Sequence, residues 1–190
     1  MSESRVYEEV VFAGFGGQGV VLAGKLLATA GMRAGYEVTF MPSYGAEVRG
    51  GTANSMVVLS REAIASPLAS VPDVVVAMNG ASLRKFGARV KAGGLVVVNS
   101  TLVTERLERE DVEVVEVGMD ELAMELGAAK AANMVGLGAY VALRGMLEVG
   151  QVGDCLAEVL AERLHKTIPV NRRALEAGAE CVGKNLNPKP

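Results

Sequence analysis

The sequence has no tryptophan, and aromatic residues make up only 4% of its 190 positions. Half of the residues are hydrophobic, so any core has to be aliphatic. There are two cysteines, Cys155 and Cys181, in separate helical segments and with no C-x-x-C spacing. Structural zinc and iron–sulfur clusters need several thiolates, so this chain is not expected to hold either by itself. Unpaired cysteine is ordinary in a reducing cytoplasm, which is the expected setting. The one histidine, His165, stands before Lys166 at an expected helix end. A surface or capping role fits it, and no Ser-His-Asp or Cys-His set is visible. Net charge is −3 and there is no basic tract, which argues against a nucleic-acid partner. No apolar run is long enough to span a bilayer, and Glu3, Glu8 and Glu9 crowd the N-terminus where a signal peptide would be basic. The length suits one α/β domain over residues 1–190, burying roughly 70% of its unfolded surface.

What is present centres on Val10 to Lys25, VVFAGFGGQGVVLAGK. Val10, Val11 and Phe12 suit a buried strand. Gly14, Gly16, Gly17 and Gly19 suit a sharp turn that a ligand can approach closely. From about Gly17 to Ala30 the residues suit a helix, whose free N–H groups and dipole would favour an anion over the turn. Four readings are open. Gly14, Gly16 and Gly19 spell G-x-G-x-x-G, the dinucleotide pattern, which needs an acid at the end of the second strand. That strand, Tyr36 to Met41, ends in Met41-Pro42-Ser43. Gly19 to Lys25 spells G-x-x-x-x-G-K, but Leu26 stands where a magnesium-binding hydroxyl is required. A cofactor-facing turn of another kind and a tight turn without a ligand complete the set.

Gly35 is a plausible cap for the first helix. The loop Pro42 to Thr52, PSYGAEVRGGT, lies at the carboxyl end of the second strand, the edge where open α/β sheets bind ligands. It is either a site or a mobile connection carrying a Glu47–Arg49 pair. Ala53 to Leu59 reads as a strand, with Ala63 to Ala65 pairing back as a short hairpin, so the sheet should be mixed. Asp73 to Met78 and Gly94 to Asn99 are continuous apolar runs, as in central parallel strands. Leu83, Phe86 and Val90 mark a helix between them. Asn79 and Asn99 end these strands and could touch a ligand or serve as caps. Val112 to Val117 is a strand and Asp120 to Leu126 a short helix. Met134 to Leu147 is apolar all round apart from Arg144 and must be buried on every face, either within this chain or against another subunit. Val152 to Glu162 reads as an amphipathic helix. A last helix starts near Pro169 and lines Ala174, Leu175, Gly178, Cys181 and Val182 on one face.

On residues alone the chain is an α/β domain that binds an anionic ligand within an assembly. GFGGQGVVLAGK, SYGAEVRGGTANS, DVVVAMNGASLRKF and NMVGLGAY, in that order across nearly the whole chain, together resemble the gamma subunit of 2-oxoacid:ferredoxin oxidoreductases. The 2-oxoglutarate type is the most similar pattern, with pyruvate and ketoisovalerate types related. Indolepyruvate enzymes share the glycine turn but differ over Tyr44 to Gly51.

The resemblance implies a three-layer α/β/α, Rossmann-like fold with a mixed, mostly parallel sheet, similar to the coenzyme A-associated domain of pyruvate:ferredoxin oxidoreductase. It implies one chain of an oxidoreductase that converts a 2-oxoacid, coenzyme A and oxidised ferredoxin to acyl-CoA, carbon dioxide and reduced ferredoxin. Alpha, beta and delta (ferredoxin-like) subunits are the implied partners, carrying thiamine diphosphate and iron–sulfur clusters. Gly14, Gly16, Gly17, Gln18, Gly19 and Lys25 are the implied coenzyme A contacts. The family's Asp and Thr stand here as Gln18 and Val20. Ser43, Tyr44, Glu47, Arg49, Gly50, Gly51 and Thr52 form the implied loop toward substrate and partner.

Overall fold

A computed structural model describes residues 6–45 and 51–186. Six strands form one sheet in the order β2-β3-β1-β4-β5-β6. They are β1 (Tyr7–Phe15), β2 (Glu37–Tyr44), β3 (Thr52–Ser60), β4 (Val74–Ala77), β5 (Leu95–Asn99) and β6 (Glu113–Val117). β1, β4, β5 and β6 pair in parallel, while β3 runs antiparallel to both β1 and β2. The sheet is thus mixed with only β3 reversed, and β2 points the same way as β1. The three middle parallel strands are buried on both faces, as their unbroken apolar sequences require.

One face carries the larger core, under α1 (Val20–Arg33), α4 (Ala132–Arg144) and α7 (Ile168–Leu186). The other face has a smaller core built on Val11, Val75, Val96 and Phe86. Its cover is short: helix α2 (Gly80–Ser82) and a π-helical turn (Leu83–Gly87). The layers are α/β/α, one of them thin.

Several expected boundaries move. β1 extends through Gly14 and Phe15, and α1 begins at Val20 rather than Gly17. β2 continues through Pro42 and Ser43 to Tyr44, so the connecting segment shrinks to residues 45–51. Proline is tolerated there because β2 is an edge strand, with one side unpaired among the described residues. Residues 63–65 form no strand, and the sheet owes its mixed character to β3 alone. Leu83, Phe86 and Val90 are buried as their spacing implies, though on a short α–π segment rather than a regular helix. The expected helix over 152–162 is two pieces, α5 (Val149–Asp154) and α6 (Leu156–Val159), divided at Cys155. The short helix expected over 120–126 is α3 (Met119–Glu125), which follows β6. Gly35, at φ 78, closes α1 as expected: its N–H and that of Tyr36 bond back to Met32 and Gly31.

The question of what covers the all-apolar helix is settled within the chain. α4 is buried from Ala132 through Val141, between the sheet and α7. The two helices touch backbone to backbone. A Cβ on Gly138 would lie 2.7 Å from the Leu175 carbonyl carbon, and one on Gly178 would lie 2.8 Å from that of Val135. α4 is tied to β1 by charge as well. Tyr140 donates a 2.7 Å hydrogen bond to the buried Glu8, and Arg144 pairs with the same carboxylate. Burial, with the Glu8 charge beside it, pushes the Tyr140 phenol well above its ordinary pKa, so it stays a neutral donor. Phe12 meets the same ring edge-on, with centroids 6.0 Å apart. These contacts fix how far α4 stands along β1, and therefore where its first residues lie at the carboxyl edge of the sheet.

Candidate functional site

At that edge β1 ends and the chain turns through Gly16 to Gly19 into α1. Gly14 is still in the strand, where a Cβ would meet Gln18 Oε1 at 2.8 Å and Val20 Cγ1 at 2.9 Å. Gly17 and Gly19 have φ of 99 and 73, values that a side chain rarely tolerates. Gln18 turns its amide inward. Its Oε1 accepts from the Phe15 N–H (2.8 Å) and from Asn79 Nδ2 (2.9 Å), while its Nε2 donates to the Met78 carbonyl (3.2 Å). The side chain thereby braces the turn against the end of β4. What the turn presents outward is backbone. Among the described residues, the N–H groups of Gly17, Gly19, Val20, Val21 and Leu22 have no acceptor. Helix α1 has no side-chain cap and no acidic residue in its first turn, so nothing within the helix offsets its positive end.

A second helix starts beside the first. Asn133, at the beginning of α4, is buried and donates through Nδ2 to the Gly19 carbonyl at 3.0 Å. α1 and α4 therefore both direct their amino ends at the glycine turn. Asn133 is not among the site residues that the sequence offers. A buried polar residue leading into an apolar helix was the available signal.

The second candidate segment lies against the first. Phe15 is in register with Thr52, and the Gly16 N–H donates to the Gly51 carbonyl at 2.8 Å. Ser43 and Tyr44 end β2 on the same edge; Tyr44 is 69% exposed, and Phe15, on the other side of β3, is 38% exposed. Glu47, Arg49 and Gly50 lie outside the described residues. Lys25 is exposed in the second turn of α1. Thus the structure brings Gly16 to Gly19, Ser43, Tyr44, Gly51 and Thr52 together, with Lys25 further along the helix.

A cleft of about 450 Å³ opens beside the turn. It is walled by Leu22 of α1, Ala128 and Lys130 of the segment before α4, Asn133, and Leu164 and Val170 on the far side.

The other polar candidates are occupied structurally. Asn79 caps α2 by accepting from the Ser82 N–H. Asn99 donates to Asp120 (2.5 Å) and accepts from the Met119 N–H (3.2 Å). His165 Nε2 lies 3.0 Å from the Leu160 carbonyl, a local capping contact. Among the described residues, no group of three or more His, Cys, Asp or Glu is placed to hold a metal ion. No described helix is long and apolar enough to cross a membrane.

Two readings of the glycines fail on this geometry. The residues between Gly19 and Lys25 are the first turns of α1, and Val20, Ala23 and Gly24 are buried in it, so they do not form the phosphate-wrapping loop that the G-x-x-x-x-G-K reading requires. In a dinucleotide fold β2 lies beside β1, where its terminal acid reaches the ribose. Here β3 separates them, moving the end of β2 about 5 Å further out, and that end is Pro42-Ser43-Tyr44.

Residues 9–181 match the family described as pyruvate ferredoxin/flavodoxin oxidoreductase. The chain belongs to this family. Among oxidoreductases of the family, the ketoisovalerate oxidoreductase subunit VorA of Methanothermobacter marburgensis is 38% identical over 179 residues. That match takes in 93% of this chain but 37% of VorA, so the chain spans little more than a third of that relative. The 2-oxoglutarate synthase subunit KorC of the same organism is 32% identical, over 92% of this chain and 96% of KorC. Solved oxidoreductases agree. The gamma subunit of a keto/oxoacid ferredoxin oxidoreductase from Geobacter sulfurreducens superposes with a TM-score of 0.77 at 30% identity, covering 91% of this chain and 96% of that one. The 2-oxoglutarate:ferredoxin oxidoreductase from Magnetococcus marinus, solved with 2-oxoglutarate, coenzyme A and succinyl-CoA bound, superposes with a TM-score of 0.81 at 26% identity. It covers 92% of this chain and 31% of that one. The resemblance drawn from the four sequence motifs and the three-layer fold it implied are both borne out.

Proposed function

We propose that the chain is the gamma subunit of a multisubunit 2-oxoacid:ferredoxin oxidoreductase and that its glycine turn holds coenzyme A. The observation that carries this is the set of N–H groups of Gly17, Gly19, Val20, Val21 and Leu22, which have no acceptor among the described residues, where two helices begin side by side. Such a surface favours a phosphate by hydrogen bonding and by helix dipole together. It needs no polar side chain, so the replacement of the family's Asp and Thr by Gln18 and Val20 leaves it intact. Lys25 adds positive charge along α1.

In this reading, partner subunits carry the thiamine diphosphate and the iron–sulfur clusters. Thiamine diphosphate there would supply the decarboxylation of the 2-oxoacid and the clusters the path of the electrons to ferredoxin, with the coenzyme A thiol as the acyl acceptor. This chain binds and orients the thiol carrier. The Tyr44 to Gly51 loop lies against a partner subunit near its thiamine site, with Arg49 pairing an acid or holding a substrate carboxylate. The carbon skeleton of the 2-oxoacid is read on partner chains, with 2-oxoglutarate the expectation from the motif pattern.

The test is to isolate the chain with its native partners and assay coenzyme A-dependent ferredoxin reduction with 2-oxoglutarate, pyruvate and 2-ketoisovalerate. Activity with one of them, in a complex containing thiamine- and cluster-binding subunits, is expected. A chain that emerges alone and binds NAD or ATP would overturn the proposal in favour of a free-standing nucleotide module.

A further inference from the structure

The cleft beside the glycine turn has a chemistry of its own. Its walls are mostly apolar, with Leu22, Ala128, Leu160, Leu164 and Val170 among them. Its volume of about 450 Å³ falls in the range of small-molecule sites, roughly 300–1,000 Å³. Two side-chain amides line it, Asn133 and Asn171. Each uses its nitrogen on a backbone carbonyl: Asn133 on Gly19 at 3.0 Å and Asn171 on Thr167 at 2.9 Å. The nitrogens are therefore committed as donors. The two amide oxygens have no partner among the described residues. A cleft that is apolar on its sides and offers two acceptors suits a flat heterocycle bearing an amino group. Lys130, exposed on the lining, adds a cation for an attached phosphate.

Position selects which part of a ligand would lie there. Leu22 belongs to the first turn of α1, and Asn133 bonds directly to the turn, so the cleft and the anion-binding N–H groups are contiguous. Coenzyme A is a chain with the thiol at one end, a pyrophosphate in the middle and 3′-phosphoadenosine at the other. If its pyrophosphate sits on the glycine turn, the thiol end has to leave this chain to reach thiamine on a partner. The end that stays is the nucleoside.

We propose that the cleft between α1, the 127–131 segment and the start of α7 binds the adenine end of coenzyme A, with the Asn133 and Asn171 oxygens accepting from the exocyclic amino group. This rests on the glycine turn holding coenzyme A. The experiment uses the assembled complex and two thiol substrates, coenzyme A and 4′-phosphopantetheine, which lacks the adenosine. Ala128→Phe fills the cleft, and Asn171→Leu removes one acceptor with little change in volume. Both variants are expected to raise KM for coenzyme A, Ala128→Phe about tenfold or more, while shifting KM for 4′-phosphopantetheine less than twofold. Adenosine 3′,5′-bisphosphate, titrated calorimetrically, is expected to bind the parent complex and to lose at least tenfold in affinity in Ala128→Phe. Equal shifts for both thiols, or unchanged bisphosphate binding, would overturn the cleft assignment. A Gly16→Val complex separates the two levels. If it weakens both thiols while the cleft variants weaken neither, the glycine-turn reading stands and the cleft assignment falls. If it weakens neither thiol, the underlying reading falls and the cleft assignment with it.

Discussion

Gly178→Val is expected to remove about 3 kcal/mol or more of stability, at the upper end of overpacking effects. Its Cβ would lie on the Val135 carbonyl oxygen and within 3.0 Å of the Ala139 nitrogen. These are backbone atoms of α4, so no rotamer change relieves the clash and the two helices have to part. Parting them exposes the inner face of α7, including Ala174, Leu175 and Val182, all of which are buried. It also loosens a helix whose other side is sealed by Tyr140 and Glu8. For a domain of this length a loss of that size lowers the melting temperature by about 6–12 °C, readable by calorimetry. Gly183→Ala is the control, because nothing lies within 4 Å of the position. A melting temperature for Gly178→Val within 2 °C of the parent would show that the helix crossing is not as close as described.

Gly19→Val is expected to raise KM for coenzyme A by at least tenfold in an assembled complex, a loss of about 1.4 kcal/mol of binding. Two effects act together. Valine at φ 73 is strained by roughly 1–3 kcal/mol, and its Cβ would come within 2.5 Å of Asn133 Nδ2. Relief of either one rotates the peptide units that aim the N–H groups of α1. Gly16→Val is the complementary probe, because Gly16 is not among the positive-φ glycines and a side chain there tests approach to the turn rather than its shape. Both variants should leave assembly intact and should act on KM for coenzyme A more than on kcat at saturating coenzyme A. Unchanged kinetics in an assembled complex would remove the ligand from the turn.

The sheet was readable where a strand had one character throughout. Val74 to Ala77 and Leu95 to Asn99 are apolar on both faces and lie in the buried middle. It was least readable where pairing decides the boundary. Pro42 and Ser43 look like loop residues, yet they pair with β3 because an edge strand tolerates them. The two candidate segments were each visible, but their meeting was not. The Gly16–Gly51 hydrogen bond follows from the register of β1 with β3, a long-range choice that no local pattern encodes. Gly138 lacks a Cβ in a helix that has to be buried on every face, which leaves room for another backbone. That Gly178 supplies the approach from α7 requires knowing how two distant helices cross. Gln18 and Asn133 illustrate the same limit for the site. Both shape the turn through partners about 60 and 114 residues away.

The most direct test of the account is coenzyme A binding to the complex reconstituted with and without this chain, measured by calorimetry. Saturable binding is expected when the chain is present, with its loss when the chain is omitted and its weakening by at least tenfold when the chain carries Gly19→Val. Binding of equal affinity to the partner subunits alone would contradict it and leave this chain a structural component with an empty glycine turn.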